Sequence, residues 1–190
     1  SPHPHADVIS VDTSEASKLP GVYAVVTPFD VPQGRIAPDM GILDTRVRFV
    51  GDEVAAVATS DEDTALRALD MIKVENQVLP FVLDPEKALL PDAVEIHPGG
   101  NLATGEPLCL ERGDVSQGFA EADLVLEEEY NIPTHSAAPM EPRAALASWE
   151  EGLLTIWKST RGVYVDRQAI AGALEIPLEQ VRVVGPYLGG

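Results

Sequence analysis

Cysteine is almost missing from this chain: Cys109 is the only one in 190 residues. A single thiol excludes an intrachain disulfide and any cysteine-based zinc or iron–sulfur site, which fits a reducing, cytoplasmic setting. Positive charge is scarce too, with 13 Lys and Arg against 31 Asp and Glu, for a net charge of −18. A surface of that sign repels phosphate backbones and anionic lipid, so neither nucleic acid nor a membrane is expected as a main partner. No stretch approaches the roughly 18 apolar residues of a membrane span. The opening SPHPHA has neither the basic region nor the apolar core of a signal peptide. A starting methionine is absent, and residues 6–11 already alternate like a strand, so the chain is expected to begin in mid-fold. What is present is ordinary globular material, 45% apolar and 23% charged, enough for one large domain or two small ones.

Periodicity predicts mixed helix and strand, an α+β chain. Residues 6–11, 22–27 and 72–79 read as strands, and 54–58 reads as a buried one. Ala65, Leu66, Leu69 and Ile72 recur at helical spacing behind a capping-box-like Ser60 and Asp63. The strand–helix–strand order of residues 54–79 predicts a βαβ or split βαβ unit. Three prolines and two glycines leave 28–45 as a loop. Asp84-Pro85-Glu86 begins a short helix, with proline at the favoured first position. Composition shifts at His97-Pro98-Gly99-Gly100-Asn101, which places a boundary between units 1–97 and 98–190. Beyond it, Asp114 caps a short helix and residues 124–130 read as a strand. Residues 143–150 and 153–158 form a hairpin around Glu151-Gly152. Residues 162–174 form an amphipathic helix stopped by Pro177, and Val181 begins a last strand.

Chemistry concentrates between two strand-like runs, in residues 130–148, YNIPTHSAAPMEPRAALAS. Pro133, Pro139 and Pro142 fix their own φ and push their predecessors to extended geometry, so the segment is a stiff loop. It carries His135 and Glu141, readable as an acid–base pair or as passengers on a rigid corner. No Ser or Cys nucleophile arrangement accompanies them. His3 and His5 supply two ligands where a catalytic zinc uses about three. Arg161 is read either as facing an anion or as a solvated charge. Gly189 and Gly190, after a strand, permit close backbone approach to a phosphate.

Six segments, in order, resemble the molybdenum-binding large subunit of the family of xanthine dehydrogenases, aldehyde oxidases, carbon monoxide dehydrogenases and 4-hydroxybenzoyl-CoA reductases. SPHPHA at residue 1, VRFVGDEVAAV at 47, IKVENQVLP at 72, RGDV at 112, PMEP at 139 and VGPYLGG at 184 are similar to segments of its hammerhead domain and of the first part of its molybdopterin-binding domain. The resemblance implies oxygen-atom transfer or reduction at a molybdenum held by molybdopterin cytosine dinucleotide. It implies iron–sulfur and flavin subunits or domains as electron partners, and a small-molecule substrate. It puts His135 in the metal pocket, at a position where many members have a glutamine bonded to a molybdenum oxo group. It makes Gly189 and Gly190 the edge of the cofactor's glycine-rich loop. The chain departs from the family at His135, at Ala137 (usually histidine) and at Arg161 (usually glutamine). Since the family's catalytic glutamate lies beyond residue 190, the expectation is a cytoplasmic fragment, inert and free of cofactor by itself, and prone to self-association. The rival expectation is a non-catalytic acidic binding or assembly module.

Overall fold

A computed structural model describes residues 1–37, 40–102, 105–133 and 135–189. In its first part, β1 (Ala6–Asp12) is followed by β2 (Val22–Val26), β3 (Arg35–Ala37), β4 (Met40–Gly41), β5 (Arg46–Val47) and β6 (Ala56–Thr59). Helix α1 (Glu62–Met71), β7 (Lys73–Val78) and α2 (Pro85–Ala88) come next. The chain goes on through α3 (Val115–Glu121), β8 (Ala145–Glu150), β9 (Leu153–Lys158), α4 (Val163–Leu174) and β10 (Val181–Val184). The architecture is α+β, as the periodicity predicts.

β1 sits between β5 and β7, antiparallel to both. Its inward Ala6 and Val8 close on Val47, with Val11, Val54 and Val74 packed around them. The alternation seen in the sequence is therefore that of a strand with one apolar face. His5, 4% exposed, lies 2.7 Å through Nδ1 from the carbonyl oxygen of Pro80, which closes the β1–β7 ladder. The bidentate Arg46–Asp7 pair, 2.7 and 2.9 Å, ties β5 to β1 on the outside.

Three expectations need correction here. β6 pairs with β2 while β7 pairs with β1, so strand–helix–strand is not one βαβ unit. The short loops around α1 hand the chain from one sheet to another. The cap of α1 is Asp61, accepting from the Thr64 amide at 2.8 Å, rather than Ser60. Asp61 has the extended φ and ψ a cap requires. The proline-rich stretch 28–45 is not wholly loop, because β3 and β4 pair within it. Asp84 and Asp114 do cap α2 and α3.

In the second part β9 is the central strand, antiparallel to β8 and parallel to β10. The β8–β9 turn has both central residues at positive φ, Glu151 at 50° and Gly152 at 82°, the primed geometry that matches strand twist. α4 is the crossover from β9 to β10. It buries Ala171 and Ala173, and Arg167 fastens it by donating to the carbonyls of Val181 (2.6 Å) and Leu178 (2.7 Å). The helix also packs against β3, where Gly34 meets its carboxyl end. Residues 124–130, expected as a strand, have no ladder partner among the described residues. Leu124, Leu126 and Tyr130 stand 74, 76 and 84% exposed, so the apolar side chains of this run are not covered by a neighbouring strand.

α4 ends in a Schellman arrangement, with Ile176 N–H donating to Ala171 and Glu175 N–H to Gly172. Glu175 takes the left-handed position at φ 56°, where a Cβ is unfavourable. Glu175→Gly is therefore expected to raise stability by about 0.5–1 kcal/mol, read as a higher midpoint in urea; an unchanged or lower midpoint would contradict this account of the helix end.

Candidate functional site

The register of the second sheet brings three loops to one end. Ala145 lies opposite Lys158, and Val184 beside Trp157. The entry to β8 and the exits of the parallel strands β9 and β10 therefore share an edge. The crevice at the carboxyl ends of parallel strands is where ligands bind in sheets of this kind. A pocket of about 550 Å³ lies there. Pro139, Glu141, Arg143, Ala144 and Ala145 line it from the β8 side, Lys158 to Arg161 from the exit of β9, Asp166 from α4 and Leu188 from beyond β10.

Glu141 joins these pieces. One carboxylate oxygen accepts from the Ser159 hydroxyl and the other from the Gly189 amide, so one side chain ties all three loops. Those two donors, the Ser159 hydroxyl first, hold its carboxyl below the ordinary 4.5. Gly189 is a glycine for a steric reason: a Cβ there would come within 2.7 Å of both Cβ and Oε2 of Glu141. On the opposite wall Lys158 reaches Asp166 at 2.7 Å. That contact, with a hydrogen bond from Thr160, lowers the Asp166 pKa from 3.8.

The site residues expected from the sequence are distributed unevenly. Glu141 is in the pocket wall but bonds to Ser159 and Gly189 rather than to His135. His135 is exposed and outside the pocket lining. Gly189 lies beside the pocket through its bond to Glu141, while Gly190 is outside the described residues. Arg161 lines the pocket, as does Thr160, whose hydroxyl accepts from the Gly162 amide at 2.9 Å. Sequence reasoning missed Ser159, Lys158 and Asp166. Their only signal is a run of polar residues directly after an apolar strand, which is common at any strand end.

Acid should loosen this corner. Both Glu141 and Asp166 have folded-state pKa values below the ordinary ones, so their stabilisation is present above the ordinary carboxylate range. It is lost as pH falls through the lowered values. Asp7, Asp61 and Asp84 shift in the same direction. The melting temperature should hold between about pH 8 and 5 and drop below about pH 4. Glu141→Gln together with Asp166→Asn should make the acid limb shallower; an acid limb identical to that of the unaltered chain would rule out a contribution from these two groups.

A crossover unit with an open crevice at the carboxyl ends of parallel strands follows an antiparallel unit, which makes this an α+β chain of two parts. A family model for the a/b hammerhead domain of aldehyde oxidase and xanthine dehydrogenase matches residues 1–80, and one for the molybdopterin cofactor-binding domain matches 96–190. The chain is 40% identical, over its full length, to a probable xanthine dehydrogenase component of Bacillus subtilis, of which it covers 26%. It is 34% identical to the nicotinate dehydrogenase large molybdopterin subunit of Eubacterium barkeri, covering 98% of this chain and 45% of that one. Its fold matches the aldehyde oxidoreductase of Desulfovibrio gigas with a TM-score of 0.88 and 30% identity, over all of this chain and 23% of that enzyme. The chain belongs to the xanthine dehydrogenase family of molybdopterin oxidoreductases, as a hammerhead domain followed by part of the molybdopterin-binding domain. It spans about a quarter of the length of the Bacillus and Desulfovibrio proteins.

Proposed function

We propose that this chain forms one wall of the cofactor cleft in a molybdenum-dependent hydroxylase or dehydrogenase, working on a small molecule. The observation that carries the reading is Glu141, which fastens the PMEP loop, the exit of β9 and the Gly189 backbone to one another. The residues present fit such a cofactor. Gly189 offers backbone without a side chain beside an open crevice, the surface that a phosphate-bearing group approaches closely. Bound there, molybdopterin cytosine dinucleotide would supply the redox chemistry, with the metal as electron sink.

The chain's own part is binding and orientation. Gly189 and Gly190 would lie along the dinucleotide. His135, on a loop stiffened by Pro133, Pro139 and Pro142, would donate a hydrogen bond toward the metal's ligands. Residues 1–97 and 98–190 would act as two units. Iron–sulfur and flavin subunits or domains would take the electrons, the assembly would be cytoplasmic, and copies of the chain would associate. Among the described residues no helix is long and apolar enough to cross a membrane.

Metal analysis of the full-length gene product tests the reading. It should hold close to one molybdenum per polypeptide and release CMP on acid hydrolysis. Protein purified under molybdenum-replete conditions without the metal would return the chain to the class of binding or assembly modules.

A further inference from the structure

We propose that residues 105–133 are a docking segment covered, in the whole protein, by the polypeptide that follows residue 190, with 124–132 joining a sheet there as an added strand. Every described residue from 105 to 133 is exposed, although the stretch holds three apolar faces. Leu108 and Leu110 stand 94 and 95% in solvent. Val115 and Phe119, one turn apart on α3, are uncovered as well. Leu124, Leu126, Tyr130 and Ile132, all exposed, share the even positions of the run that follows, which in an extended chain is one face. The backbone of 123–133 makes no backbone–backbone hydrogen bond among the described residues. Contiguous apolar surface beside open backbone donors and acceptors is the mark of an interface. Strand addition satisfies both, because the ladder takes the backbone groups and the layer beneath takes the apolar row.

Three observations choose the occupant. The chain spans 26% of the Bacillus protein and 23% of the Desulfovibrio enzyme, so a whole protein of that length has covering material of its own. The molybdopterin-binding family model takes in residues 96–190, so the bare stretch lies inside a domain of which this chain holds part. Charge disfavours a second copy at this stretch: 105–133 carries eight carboxylates and a single cation, Arg112, and two such segments repel one another. The covering surface is therefore apolar and edged with Lys or Arg, facing Glu127, Glu128 and Glu129. The proposal rests on family membership and does not depend on the cofactor reading above.

Hydrogen exchange read by mass spectrometry tests it on the full-length gene product and on the 190-residue chain. In the full-length protein the amides of 124–132 should exchange at least about 10²-fold more slowly than in a free peptide of that sequence. That protection should hold at any protein concentration and with no other subunit present. In the 190-residue chain the same amides should exchange at the peptide's rate. Leu126→Ser should lower the melting temperature of the full-length protein and leave that of the 190-residue chain unchanged. Free exchange in the full-length protein, or slow exchange in the 190-residue chain itself, would overturn the proposal. So would protection that grows with concentration, which marks a second copy, or that needs an added subunit, which marks a partner. Molybdenum content is a separate readout: protection without metal defeats the cofactor reading alone, and metal without protection defeats this proposal alone.

Discussion

Replacing His135 with alanine in the full-length enzyme is expected to lower turnover about 10²-fold while leaving the melting temperature unchanged. The magnitude is that of removing one pre-organised donor from a reacting centre. The expectation rests on the proposed place of His135 beside the metal's ligands, which the family resemblance of the PMEP loop implies. A loop with three prolines loses little entropy when it holds a side chain in place, so the donor would be pre-set rather than recruited. Within these 190 residues the imidazole is exposed, so the packing of this part of the enzyme does not depend on it. His135→Gln should recover part of the lost rate, since its amide can donate as well. Full turnover in the alanine variant would leave the loop with a structural role only.

A second large effect is expected at Gly34, far from the pocket in sequence. It sits against the carboxyl end of α4, and an added Cβ would overlap the Gly172 carbonyl oxygen and lie 2.5 Å from that of Ala173. These are backbone atoms at a helix end already fixed by its Schellman bonds, so they cannot swing aside as a side chain would. Gly34→Val must therefore push β3 away from α4, a contact between the two parts of the chain. Overpacking of this kind costs about 1–3 kcal/mol, or a fall in melting temperature of roughly 2–12 °C for a chain of this size. Gly118→Ala serves as the control, because a Cβ there meets nothing within 4 Å and alanine favours the helix. Equal melting temperatures for Gly34→Val and the unaltered chain would show that the joint is not packed as described.

Local order was readable in the residues, and long-range pairing was not. The caps at Asp84 and Asp114, the Glu151-Gly152 turn, helix α4 and strand β10 follow from chemistry confined to a few neighbours. The division of β6 and β7 between two sheets does not: 54–58 reads as a buried strand and 72–79 as a half-buried one, β6 alternates between exposed and half-buried, and nothing in a strand names its partner. The run 124–130 shows the converse: its residues read as a strand, yet a ladder needs a neighbour. The site divides the same way. Glu141 drew notice for its place among prolines, but its partners stand 18 and 48 residues away. The sheet register brings them together. Lys158 and Asp166 meet across the turn into α4 with no spacing rule to announce them. The family resemblance supplied what periodicity lacked, because ordered motifs carry the outcome of the pairing without its geometry.

Molybdenum per polypeptide in the full-length protein, measured side by side for the unaltered sequence and for Glu141→Ala, is the most direct test. If one carboxylate fastens three loops into a cofactor wall, the unaltered protein should hold close to one metal and the variant a small fraction of it, with melting temperatures that show both to be folded. Equal molybdenum in the two proteins would contradict the account.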